Sequence, residues 1–296
     1  MCKVDVVSIG YSTVEDIPLF HLAPGGSAMR VLTPASLEPP LRCPESCGVL
    51  YELTTSYGSE FPVSVPCRDL LSLASKWRVD VLSIEGIEPL GLEGVEELIS
   101  KAREAGFLVA VRSQGLYLDS SLKSGVDAVV FDYVGTLTEN PFYKVKALSS
   151  LDSLLMASLS LEVVAYMREP VVEAIVPLVE RMKENAALHI FIEDPKGGGP
   201  AREVYETALK KHSYTYLHSP PYDRLDTYCP KCGALIAVRE DSKLVALKTR
   251  EGRCWRCGHP LPFRGPLYER TKPTILRRTG GGGVRWHDPR VVATTS

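Results

Sequence analysis

Helical and strand periods alternate along residues 68–217. Helical spacing over 68–76 gives way to an apolar run at 79–84. The same exchange follows in order: helix 94–105, strand 107–112, strand 128–131, helix 144–158, strand 161–165, helix 171–184, strand 188–192, helix 201–211 and strand 214–217. Strands separated by helices are expected to run parallel, because each helix carries the chain back across the sheet. Stretches such as Asp80-Val-Leu-Ser-Ile84 and Phe107-Leu-Val-Ala-Val111 are apolar almost throughout, the pattern of strands covered on both faces. At least five such units imply an α/β fold, a full or partial (β/α) TIM-like barrel. Its chemistry is then expected at the carboxyl ends of the strands. The first 66 residues read as short strands and loops, with 3–9 alternating and β-branched and 34–44 too rich in proline for a regular element.

After Pro220-Pro221 the character of the chain changes. Residues 1–223 hold 19 basic and 30 acidic side chains, net −11, while 224–296 hold 15 and 6, net +9. A basic end on an acidic body points to an acidic partner, nucleic acid included, or to docking on the body itself. The expected organisation is a barrel over 1–222, a small module over 223–263 and a basic Gly/Arg-rich tail over 264–296, loosely structured when isolated. No run of about 18 apolar residues is present, so no membrane span is expected. The start, Met1-Cys2-Lys3-Val4-Asp5, has no basic-then-apolar leader, which suggests the cytoplasm.

Four of the eight cysteines form Cys229-Pro-Lys-Cys232 and Cys254-Trp-Arg-Cys257. A two-residue spacer lets both thiolates of a pair reach one ion, and the glycines that follow, Gly233 and Gly258, permit the tight turn toward the sulfurs. Four thiolates make a closed tetrahedral site, the donor set of structural zinc, with iron as the alternative. A module of about 40 residues has too small a core to fold alone, so the metal would supply the missing stability.

A third cysteine pair, Cys43-Pro-Glu-Ser-Cys47, is followed by Leu50. Radical S-adenosylmethionine (radical SAM) enzymes carry C-x3-C-x2-C at such a loop. The chain resembles, over almost its whole length, the radical SAM protein of the AmmeMemoRadiSam system, a relative of the pyruvate formate-lyase activating enzymes. Ile17-Pro-Leu-Phe-His-Leu-Ala-Pro-Gly-Gly26 is similar to the family's approach to its cluster loop. Ile87-Glu88-Pro89, Ser113-Gln114-Gly115 and Phe131-Asp132-Tyr133 are similar to its Asn-Glu-Pro, Thr-Asn-Gly and Ile-Asp-Leu. The two CxxC knuckles look like its C-terminal ending.

The resemblance implies an incomplete barrel, a 4Fe-4S cluster on Cys43 and Cys47, and S-adenosylmethionine held near Glu88, Gly115 and Asp132. It departs from the pattern at Leu50, where the third cluster ligand would stand, at Val134, where a lysine is expected, and in a proline-rich insertion at 35–41. Cys67, another ligand type or a partner protein would have to supply the third ligand. The alternative is a cluster-free pseudoenzyme acting as a scaffold, with residues 224–296 open to nucleic acid. Glu85 and Glu88 read as the polar end of a strand, with a paired acid–base set as the alternative, His189 and His218 as satisfied core histidines rather than catalysts, and Cys2 as an incidental thiol. The substrate, protein or small molecule, is unspecified.

Overall fold

The computed structural model describes residues 2–34, 62–86, 88–117, 125–133, 141–167, 169–192, 198–241, 243–280 and 283–293. The chain begins with β1 (Lys3–Val6), β2 (Ser8–Thr13), β3 (Ser27–Leu32) and β4 (Val63–Pro66), then α1 (Cys67–Trp77). Strand and helix then alternate: β5 (Val81–Glu85), α2 (Val95–Glu104), β6 (Leu108–Ser113), β7 (Ala128–Tyr133), α3 (Pro141–Leu155), β8 (Ser160–Met167), α4 (Val172–Val179), β9 (Ala186–Ile192), α5 (Gly198–Lys211) and β10 (Thr215–His218).

The spatial order β3-β5-β6-β7-β8-β9-β10 follows the chain order, and every neighbouring pair in it is parallel. The sheet is therefore wound in one direction only, as a barrel wall is. It is not closed. The outer edge of β10 is taken by the returning chain, which exchanges two backbone hydrogen bonds between Leu217 and Arg224. At the other edge β2 runs antiparallel to β3 and extends the sheet. Of the full or partial TIM-like barrel expected, the full one is ruled out: the sheet is an open, mostly parallel wall.

Local chemistry explains several helix ends. In α2, Glu96 and Glu97 lie in the first turn and Lys101 and Arg103 near the last, complementing the helix dipole. Its N-cap, Gly94, has φ +80°, and a Cβ there would lie 1.9 Å from the Lys3 carbonyl oxygen, so only glycine fits. The expected helix 171–184 stops at Val179, because the amides of Arg181 and Met182 bond three residues back rather than four.

Register separates the two faces of the wall. Pairing places Arg30, Ser83 and Glu85, Arg112, Asp132, Glu162 and Tyr166, His189 and Phe191, and Tyr216 and His218 on one face. The alternate residues, such as Ile84, Val111, Phe131, Val163 and Ile190, join the main core with Leu70, Leu98, Leu151, Leu178 and Val204 of the helices. Both faces are buried, as expected, but one is polar.

The small module holds β11 (Thr227–Tyr228), β12 (Leu235–Glu240), β13 (Lys243–Leu247), β14 (Thr249–Arg250) and β15 (Arg253–Cys254) in two antiparallel sheets. It has its own core around Ile236, Ala237, Leu244 and Leu247. The last segment holds α6 (Pro273–Thr279), β16 (Arg285–His287) and α7 (Arg290–Ala293). In the whole chain this tail is not loose: β16 pairs antiparallel with β2 and is the ninth strand of the large sheet. No helix among the described residues is long and apolar enough to cross a membrane.

Candidate functional site

The carboxyl ends of β5, β6 and β7 carry Glu88, Gly115 and Asp132, three of the residues that the resemblance singles out. Glu88 is fully buried just beyond β5. Its Oε2 accepts from Ser113 Oγ at 2.8 Å and its Oε1 from the Leu116 amide at 2.8 Å. Burial pushes its carboxyl above the ordinary value, against these donors. Gly115, with φ +88°, passes so close to the Phe131 ring that a Cβ would lie 2.3 Å from Cε2. The close turn at Gly115 therefore has a packing reason as well as a candidate binding one.

Asp132 accepts two bonds from Arg112, at 2.7 and 3.0 Å, and one from Tyr166 at 3.0 Å. Beside it Arg30 forks onto Glu85 at 2.7 and 2.6 Å, with Ser83 Oγ at 2.9 Å. Burial alone would raise the Glu85 carboxyl, but the facing guanidinium outweighs it and holds the pKa below the ordinary value. Glu85 and Glu88 thus belong to separate networks and do not form an acid–base pair.

A third network continues along the same face. Glu162, His189 and His218 come from β8, β9 and β10. His189 Nε2 lies 2.9 Å from Glu162 Oε2, and its Nδ1 lies 3.0 Å from His218 Nε2. Both histidines are buried and hydrogen-bonded, as core histidines would be, and they are joined to each other and to Glu162. The signal was present as His189 and His218 in neighbouring strands, but only the register joins them to Glu162.

The cysteines divide into three groups. Cys43 and Cys47, like Leu50 and Val134, lie outside the described residues. Cys67 is disulfide-bonded to Cys2, with Cα atoms 5.5 Å apart. The cause is the antiparallel pairing of β1 with β4, which sets Lys3 opposite Pro66 and so brings the two flanking cysteines together. In this state Cys67 offers no thiolate to a cluster, and Cys2 is not an incidental thiol.

Cys229, Cys232, Cys254 and Cys257 converge, with all four sulfurs within 4.8 Å of one another. The pairs Cys229–Cys257 and Cys232–Cys254 are each 3.7 Å apart. A tetrahedral ion with metal–sulfur bonds of about 2.3 Å would have sulfur–sulfur edges of about 3.8 Å, so this group can hold a metal. Each knuckle is closed by a glycine with positive φ: the amides of Gly233 and Gly258 bond back to the carbonyls of Cys229 and Cys254.

The module is fastened to the wall by Arg239 of β12. Its guanidinium donates to Leu225 O, Thr227 Oγ1 and Phe20 O at 3.0, 2.8 and 3.1 Å, and lies 4.0 Å over the Phe20 ring. Further along, Lys272 and Tyr268 both bond Asp80. Much of the basic end is therefore spent on the body. A cleft of about 470 Å³ between α5 and β11–β12, lined by Tyr205, Asp223, Arg224 and Tyr228 among others, holds none of the candidate residues.

No family model matches the chain, and no curated protein does. Among solved structures it is similar to Streptococcus suis SuiB bound to S-adenosylmethionine, with a TM-score of 0.41 and 13% identity over 54% of this chain and 43% of that one. It is also similar to TYW1 with a lysine-pyruvate adduct bound, with a TM-score of 0.41 and 13% identity over 68% and 80% of the two chains. Archaeal TYW1 gives a TM-score of 0.39 and 14% identity over 65% and 75%. The chain spans less than half the length of SuiB.

Proposed function

We propose that this chain is a divergent radical SAM protein on an open (β/α) wall, braced by a four-thiolate zinc site. The observation that carries the reading is positional. Cys43 and Cys47 follow β3, the first strand of the parallel arc, in sequence, and Glu88, Gly115 and Asp132 stand at or just beyond the ends of the next three strands. In barrels of this kind chemistry gathers at that end. A bound 4Fe-4S cluster and S-adenosylmethionine would supply radical chemistry to the site.

The donor set does not fit a complete cluster. Two thiolates fall short of the three needed, Leu50 cannot ligate iron, and Cys67 is bonded to Cys2. No reaction step is therefore assigned through the cluster. The chain's own residues would shape the mouth: Glu88 ties the 113–116 turn to the end of β5, and Arg112 and Tyr166 hold Asp132 in place.

The second reading is a cluster-free scaffold. It is favoured by the commitment of Asp132 to Arg112 and Tyr166, and of Cys67 to Cys2. Its binding face would be the exposed cations of the zinc module, Lys231, Arg250, Arg253 and Arg256, set against a polyanion such as nucleic acid.

Iron, sulfide and zinc are to be counted per chain after anaerobic purification and reconstitution, in the wild type and in a Cys43→Ala/Cys47→Ala variant. If another ligand type takes the place of the missing third thiolate, the first reading expects about four irons per chain, lost in the variant, beside one zinc. One zinc, no iron and no difference between the two proteins would overturn it and leave the scaffold.

A further inference from the structure

We propose that Glu162, His189 and His218 form a proton wire that opens at the carboxyl end of β10 and serves acid–base chemistry there on a small polar substrate with a weakly acidic O–H or N–H group. The inference does not depend on a cluster. Its basis is an unbroken chain of contacts. Glu162 and His189 are wholly buried, and His218 is 9% exposed. The two links of the chain are 2.9 and 3.0 Å long.

Donor and acceptor roles follow from the carboxylate. An ionised Glu162 only accepts, so His189 carries its proton on Nε2. His189 Nδ1 is then bare and must accept from His218 Nε2. That leaves a lone pair on His218 Nδ1. No described residue hydrogen-bonds to that nitrogen. The next residue, Ser219, is fully buried, and its Oγ also has no partner among the described residues. The His218 ring is held flat against Phe191, with centroids 4.0 Å apart and planes 6° apart, so its orientation is set.

The step balances as three proton shifts. The substrate X–H bond breaks, X keeps the electron pair and Nδ1 of His218 takes the proton. The Nε2 proton of His218 passes to His189 Nδ1, and the Nε2 proton of His189 passes to Glu162. The site ends with a neutral carboxylic acid, two neutral imidazoles and X as an anion. The reverse sequence delivers a proton.

The surroundings favour this relay over a stored imidazolium. Burial first, then Arg239 and Arg112, push His189 well below its ordinary value, and burial, His189 and Arg239 do the same to His218. Burial raises Glu162 to about 7, opposed by His21, its amide and Arg239. Tyr216, stacked on His189, also faces the wire. The proton thus rests more easily on the carboxylate than on either ring.

The test is a pH series on the full chain carrying ¹⁵N-labelled histidine, read by long-range ¹H–¹⁵N correlation. At pH 8.5 both His189 and His218 are expected as Nε2–H tautomers. On lowering the pH through about 7 both are expected to exchange to Nδ1–H without passing through the imidazolium shift. Glu162→Gln should abolish the exchange. Ordinary imidazolium titration near 6.5, fixed tautomers in the wild type, or an exchange that survives in Glu162→Gln would each overturn the wire. If that variant does not fold, the wild-type series decides alone. Carbethoxylation at pH 8, mapped by mass spectrometry, tests access: His218 is expected to react and His189 to be spared. A protected His218 would overturn the site even if the tautomers exchange.

Discussion

At the scale of single residues, buried charge is the main risk this chain carries. Arg239 holds three acceptors, of which Phe20 O lies outside the small module, and its Nε has no partner among the described residues. Arg239→Ala would take the donor from the buried Leu225 and Phe20 carbonyls, a loss of about 1–3 kcal/mol for each in urea unfolding. Glu15 is a second case. Its Oε1 accepts from the Gly25 amide at 2.7 Å, while its buried Oε2 has no partner among the described residues. Burial raises its carboxyl from 4.5 to about 7. A group raised in the fold contributes stability that is fully present below the unfolded value and lost as pH rises through about 7. Glu15→Gln should therefore reduce the fall in stability between pH 5 and pH 8.5 by about 3 kcal/mol at most, measured by urea midpoints at both pH values. His21 and His212, held down to about 4 mainly by burial, work in the opposite sense. Their contribution is present above about 6.5 and lost as pH falls toward 4, so wild-type stability should also drop in acid.

At the scale of elements, the C-terminal tail shows how a weak local signal becomes regular structure. Arg277-Arg278 and the glycine run read equally as a grip on nucleic acid or as a tail, solvated or docked on the acidic body. Yet α6 ends at Gly280 in the left-handed conformation, and the chain then returns along β2. Gly10 makes that docking possible, because a Cβ there would lie 2.9 Å from Trp286 Cζ3 and from Val284 Cγ1. Trp286 in turn lies under Arg30, 5.1 Å from its guanidinium carbon. Gly10→Ala is expected to push β16 away, speeding amide exchange at 285–287 and costing about 1–3 kcal/mol. Unchanged exchange there would mean that β16 is held by other contacts. The parallel strands were legible because their apolar runs are long and helices punctuate them. β16 was not, since three residues carry no period and its partner is about 275 positions away.

At the scale of the whole molecule, the described residues form three hydrophobic clusters: the main core, the core of the small module, and a group of Phe20, Ala187, Tyr214, Tyr216 and Leu225. The core of the small module is distinct from the main one. Removing the metal with a thiol-reactive agent and a chelator should release one ion per chain and unfold the module first. Trp255 reports it, since its indole N–H donates to Leu235 O at 3.0 Å and Lys248 lies over its ring. A red shift of emission with the far-ultraviolet signal of the parallel sheet retained is the expected result. Release of metal with no spectral change would show that the module holds without it.

Periodicity alone determined the α/β class and the parallel wall, and cysteine spacing alone determined the candidate metal site. Both are local properties: a helix or strand period is written within about a dozen residues, and a CxxC knuckle within four. The polar networks are different in kind. Arg30 with Glu85, Arg112 with Asp132, and Glu162 with His189 and His218 sit on strands that look apolar one at a time. Only the pairing register turns their side chains to one face and within bonding distance. The same holds for the open edge of the wall and for the bond between Cys2 and Cys67. Each depends on which segments meet, and that is decided by packing the whole chain rather than by any stretch of it.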